Sequence, residues 1–120
     1  MDTVYTIVQA LLGIVFLGAG ANHLRAVTSG TYSAQMAWIA AVPRNLMLAI
    51  GVLEILAGIA LLGSLVTGTT AVAALTAACL AVLMLFAIVF HARRPGEVPN
   101  IAFNAILGVL ALVALYANLT

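Results

Sequence analysis

TAVAALTAACLAVLMLFAIVF, residues 70–90, runs without a charged side chain and stops against His91, Arg93, Arg94 and Pro95. A helix needs about 17 to 25 apolar residues to cross roughly 30 Å of hydrocarbon, so this stretch reads as a membrane span. Working outward, residues 45–66 form a second run, opened by Pro43 and Arg44 and interrupted only by Glu54. Residues 4–21 form an uncharged run closed by Asn22, His23 and Arg25, and residues 101–117 form the last. The whole 120-residue chain is 66% hydrophobic and 6% charged, outside the range of a soluble domain. Backbone amides in lipid must bond within their own segment, and none of the runs alternates as barrel strands do. The expectation is a single all-α domain over 1–120, an integral membrane four-transmembrane-helix bundle with helices at about 4–21, 45–66, 70–90 and 101–117.

Four crossings put both termini and the 63–69 turn on one face and the connections 22–44 and 91–100 on the other. Arg25, Arg44, Arg93 and Arg94 all fall in the second group, and the first has no Lys or Arg. The positive-inside rule makes those connections cytoplasmic and both termini external, as in a bacterial inner membrane. Tyr5 and Tyr116 then mark the outer interface, and Tyr32 and Trp38 the inner one. Ala19-Gly20-Ala21 resembles a signal cleavage site, but Asp2 and the lack of Lys or Arg before the run favour a retained helix. Residues 27–42 are too short an apolar patch to cross, and are expected at the interface or folded back into the bundle.

Small residues recur where helices can approach closely. Gly13 and Gly20 are seven apart, as are Gly51 and Gly58, and Thr70, Ala74, Ala78 and Ala73, Ala77, Ala81 make two stripes on the third span. These read as packing seams. Cys79 is the only cysteine, so no Cys-x-x-Cys couple exists for thiol-disulfide exchange. No zinc pattern, phosphate loop or nucleic-acid patch is present, and no metal site is expected.

Glu54 is the most informative residue. It lies nine residues beyond Asn45, about 14 Å into its span and close to the midplane. An ionised carboxylate there costs at least ~2.5 to 3.5 kcal/mol, so Glu54 is expected to face the interior, either protonated or paired with a cation. His23 and Arg25 end the first span, His91 and Arg93 the third, and Asn100 and Asn104 sit one turn apart on the fourth. Converging, they make a funnel, polar at its mouth and narrowing to one acid, that suits the head of a quinone or another small lipid. Each residue has a plainer use as well. Glu54 can lock the bundle through a helix carbonyl or Arg25, the arginines can serve as topology signals, and Asn100 can cap a helix. His23 and His91 can be interfacial hydrogen-bonding groups, a proton relay or, across spans, haem ligands.

The second span, Gly51-Val-Leu-Glu54-Ile-Leu-Ala-Gly58-Ile-Ala-Leu-Leu-Gly63 after Pro43, resembles the second helix of DoxX-like membrane proteins. The end of the third, Phe90-His91-Ala-Arg93-Arg94-Pro-Gly96-Glu97, is similar to that family's histidine and arginine ending, and a fourth helix with an early asparagine follows. The first span departs from the pattern, with Asn22-His23-Leu24-Arg25 where the family often has a lysine. The resemblance implies the same four-helix fold and, for some members, association with membrane oxidoreductases that pass electrons to quinone; distant eukaryotic relatives act as assembly or cargo factors.

Three function classes follow. The first is an accessory subunit of a membrane redox system that holds a quinone-like lipophile in the Glu54 pocket, alone or as a homo-oligomer. The second is a membrane-embedded enzyme, an isomerase or a haem protein, with Glu54, His23 and His91 as candidate catalytic groups. The third is a small proton-coupled exporter, whose dual-topology form the four arginines on one face argue against. The first is the preferred expectation.

Overall fold

In the computed structural model, which describes residues 1–120, four long helices follow one another: α1 (Thr3–Ser29), α2 (Arg44–Thr67), α3 (Thr70–Ala92) and α4 (Val98–Leu119). A 3-10 helix, Ala34–Ala41, lies between α1 and α2, and there are no strands. The shortest long helix has 22 residues, about 33 Å at 1.5 Å per residue, enough to cross a bilayer. Asp2 caps α1 by accepting a hydrogen bond from the Val4 amide at 2.8 Å. Pro43 stands at the start of α2, and Pro99 occupies the first turn of α4, where a missing N–H leaves nothing unpaired.

The first helix runs past the apolar stretch 4–21. Asn22, His23 and Arg25 belong to its last turns, and it ends at Gly30, whose φ of 69° turns the chain out of the helix. The polar residues that close the hydrophobic run are therefore held on a rigid helix rather than in a loop. Beyond them the 3-10 helix folds back across the end of the bundle, where Ile39 is buried with Ala26 and Met47. Arg44 fixes this arrangement from α2 by donating to the Val27 carbonyl at 3.0 Å.

α1 packs chiefly on α2 and α3 chiefly on α4, and the two hairpins meet along lighter seams. The glycines set the first pairing. A Cβ on Gly20 would stand 2.6 Å from the Gly51 carbonyl oxygen, and one on Gly58 would stand 2.7 Å from that of Gly13. With no side chain in the way, the two antiparallel backbones touch at both levels, which is how small residues bind helices together in lipid. The second hairpin uses one of the expected alanine stripes: Ala73, Ala77, Leu80 and Met84 of α3 are buried in the same core as Leu107, Ala111 and Ala114 of α4. Phe16, Leu12 and Leu61 complete that core from the other pair. Leu11, Ile14, Leu53, Leu75, Leu85 and Val109 point outward, as lipid-facing side chains must.

The termini share one end, where Tyr5 and Tyr116 meet edge to face with ring centroids 6.2 Å apart. Just inside them Gln9, 1% exposed, donates to the Leu61 carbonyl at 2.9 Å and accepts from Asn118 at 2.8 Å. All four arginines lie on the elements of the opposite end.

Candidate ligand-binding cavity

At the arginine end the hairpins part around a cavity of about 530 Å³ lined by 20 residues, 13 of them hydrophobic. Each helix contributes to its wall: Asn22 and His23 from α1, Leu46, Met47 and Ile50 from α2, Met84, Phe86, Phe90 and His91 from α3, and Asn100, Phe103 and Asn104 from α4. Gln35, Met36 and Trp38 of the 3-10 helix cover it. Leu46, Phe86 and Phe103 line the cavity yet are 53%, 67% and 52% exposed, so its mouth faces the surroundings of the helices, which here are lipid.

Glu54 is 3% exposed and stands behind the wall rather than in it. Its partner is His23, whose Nδ1 lies 2.6 Å from Oε1. The two residues come within reach because Gly20 and Gly51 let α1 and α2 close to backbone contact one turn away. Arg25, the alternative partner, instead donates from Nε and Nη2 to the Asn22 side-chain oxygen, at 3.3 and 2.8 Å, and is exposed.

His91 forms a second pair of the same kind. Its Nδ1 lies 2.5 Å from Oε1 of Glu97, and the other oxygen of that carboxylate accepts from Arg94 Nε at 2.5 Å. The loop from α3 to α4 brings Glu97 back under His91, with Gly96 turning the chain at φ 76°. Partial burial works to raise the Glu97 carboxyl, but the hydrogen bonds and charges of His91 and Arg94 outweigh it and leave Glu97 below its ordinary value. The stability gained from this cluster is therefore complete above the ordinary carboxylate range and lost as pH falls through the lowered value. Acidification below about pH 4 should loosen residues 91–98 first. Amide hydrogen exchange in that segment should rise while the Gly20–Gly51 region stays protected; uniform loss of protection would show that the cluster does not fasten the loop.

Trp38 joins the two pairs. Its ring meets that of His23 at 5.5 Å and that of His91 at 5.1 Å, both edge to face, and meets Phe90 at 6.1 Å. The asparagines hold the cover down: Asn100 donates to the Gln35 carbonyl at 3.5 Å, and Asn22 approaches the Met36 sulfur at 3.3 Å. Of the residues singled out in the sequence, His23, His91, Asn100 and Asn104 line this one cavity and Glu54 touches it through His23. Arg25 and Arg93 are exposed and take no part in its wall. Trp38, Gln35 and Glu97 were not expected in the site. Glu97 carried a readable signal, three residues after Arg94 and six after His91, whereas the position of Trp38 depends on how the 3-10 helix folds back.

Four spanning helices around a cavity with two histidine–carboxylate pairs at one end define a small polytopic membrane protein. The model of the DoxX-like family matches residues 7–114, and the chain belongs to that family. No curated protein and no solved structure matches it.

Proposed function

We propose that this cavity holds the head of a small quinone-like lipophile and that the protein serves as an accessory subunit of a membrane redox system. The observation that carries the reading is the cavity's make-up: an apolar chamber with a lateral mouth between lipid-facing side chains, and polar groups confined to one end. Such a chamber accepts a hydrocarbon tail from the bilayer and offers hydrogen bonds only where a ring with oxygen substituents would come to rest. Its lining supplies hydrogen bonds and proton-exchanging groups, and Cys79, the one thiol, is exposed on α3 away from the lining, so electrons would come from a partner. The arginine-bearing end is assigned to the cytoplasm by the positive-inside rule, with both termini on the outer face of a bacterial inner membrane.

The test is native mass spectrometry of the protein extracted gently from its own membrane, followed by addition of decyl-benzoquinone. A retained lipophile, or one-to-one uptake of the added quinone that Phe86→Trp at the mouth weakens, is the expected result. A protein that carries no lipophile and takes up none overturns the reading.

A further inference from the structure

The side-chain carboxylates of the chain are three, and each is accounted for. Asp2 caps α1 at the end away from the arginines, Glu54 is buried against His23, and Glu97 is bonded to His91 and Arg94. Arg25, Arg44 and Arg93 are left with no carboxylate within ion-pair distance. What their charge meets outside the protein depends on where each one stands.

Arg25 and Arg44 stand at nearly one level on touching helices. The backbone of Gly13 lies against Gly58 and that of Gly20 against Gly51, so the antiparallel register carries the end of α1 alongside the first turn of α2. Arg44 accordingly donates from Nη1 to the Val27 carbonyl at 3.0 Å. Arg25 is tethered to the same end of α1, from Nη1 to the Thr31 carbonyl at 3.5 Å and from Nε and Nη2 to the Asn22 side-chain oxygen. Both guanidiniums are thus oriented by neutral acceptors, which leave their charge unbalanced, and both residues are exposed. Nε and Nη2 of Arg44 keep their donors free. Hydrocarbon-facing surface begins directly beneath them. Leu11, Ile14, Gly18, Ala21 and Arg25 follow one another at three- and four-residue steps and are all exposed, so Arg25 heads the outward stripe of α1. Leu46, two residues after Arg44, is exposed as well.

We propose that Arg25 and Arg44 bind the phosphate of an anionic phospholipid whose acyl chain lies along the outward stripe of α1. A guanidinium satisfies a phosphate through charge and paired N–H donors together, and only an anion that carries its own hydrocarbon covers the apolar stripe at the same time. Neither arginine lines the cavity, so this site stands whether or not the cavity holds a lipophile. Arg93, exposed at the end of α3 on the other hairpin, has the same charge without that setting and serves as the comparison.

Native mass spectrometry in a neutral maltoside detergent, where orientation in a bilayer plays no part, measures the uptake of dioleoyl phosphatidylglycerol against dioleoyl phosphatidylcholine from an equal mixture. Wild type should favour the anionic lipid by about 25-fold, from about fivefold for each arginine. Arg25→Gln and Arg44→Gln should each leave a preference of about fivefold, and the double variant about none. Arg93→Gln should keep the wild-type ratio. Because the readout compares two lipids on one folded protein, stability lost with the Val27 bond does not imitate the effect. Equal uptake of the two lipids by wild type, or a loss in Arg93→Gln as large as in Arg25→Gln, overturns the site. Displacement of phosphatidylglycerol by an equal concentration of inorganic phosphate overturns the lipid as its occupant, and a dimer that takes up neither lipid overturns it in favour of a second copy of the chain.

Discussion

Gly20→Ala should separate α1 from α2 and lower stability by about 3 kcal/mol, at the upper end of what an added methyl costs in a packed core. The new Cβ would lie 2.6 Å from the Gly51 carbonyl oxygen and 2.9 Å from the Ile55 amide nitrogen, both backbone atoms of a helix that cannot yield locally. Gly58→Ala meets the Gly13 carbonyl oxygen at 2.7 Å and should behave alike. Gly13→Ala and Gly51→Ala first meet the side chains of Leu62 and Leu24, which can rotate aside, so these should cost less. Gly18→Ala and Gly63→Ala, with nothing within 4 Å, are the controls and should melt like wild type or slightly higher. Unfolding of the six variants and the wild type in detergent provides the comparison. A Gly20→Ala protein indistinguishable from Gly18→Ala would mean that the glycines do not set the helix spacing.

The second large effect concerns His23 and Glu54. His23→Leu strands a carboxyl that is 3% exposed and should cost about 2 to 3 kcal/mol, while Glu54→Leu strands an imidazole whose side chain keeps 17% exposure and should cost less. The double variant replaces both polar groups with apolar ones and should recover much of the loss, because the penalty comes from the orphaned partner more than from the missing bond. A double-mutant cycle on unfolding free energies measures this directly. Simple additivity of the two losses would show that the pair is not coupled. Ligand uptake should vanish in the His23→Leu variant and stay lost in the double variant even as stability returns, since the His23 ring that lines the cavity is gone in both.

Most of the fold can be read from the chain because each span is a long apolar run, broken by a charge only at Glu54, and because Pro43 and the cluster after Phe90 punctuate the runs sharply. The seams can be read as well: the seven-residue spacing of Gly13 with Gly20, and of Gly51 with Gly58, marks the faces that touch. The length of α1 is less legible. Hydropathy marks where lipid solvates a helix, and a helix that continues through the interface to Gly30 leaves no such mark. Gly30 itself is the better stop signal. For the site, the depth of Glu54 announces a buried acid, yet nothing local tells that His23 rather than Arg25 will reach it. That choice follows from helix phase, since His23 faces α2 while Arg25, two residues on, turns outward to Asn22 and Thr31. Gln9 shows the same limit. It is a polar residue inside an otherwise apolar span, and its partners, Leu61 and Asn118, are far away in sequence.

The uneven pairing of the helices bears on how the molecule lives in its membrane. Each hairpin is closed tightly along its length, and the contact between hairpins is lighter and is interrupted at one end by the cavity. Such a body behaves as two stiff leaves on a soft spine. Lateral pressure from the acyl chains presses the leaves together, and an occupant of the gap becomes part of the joint. On the proposed reading, thickness and tension of the surrounding bilayer would act on the width of the gap without breaking a single helix, and so on how readily the cavity exchanges a lipophile.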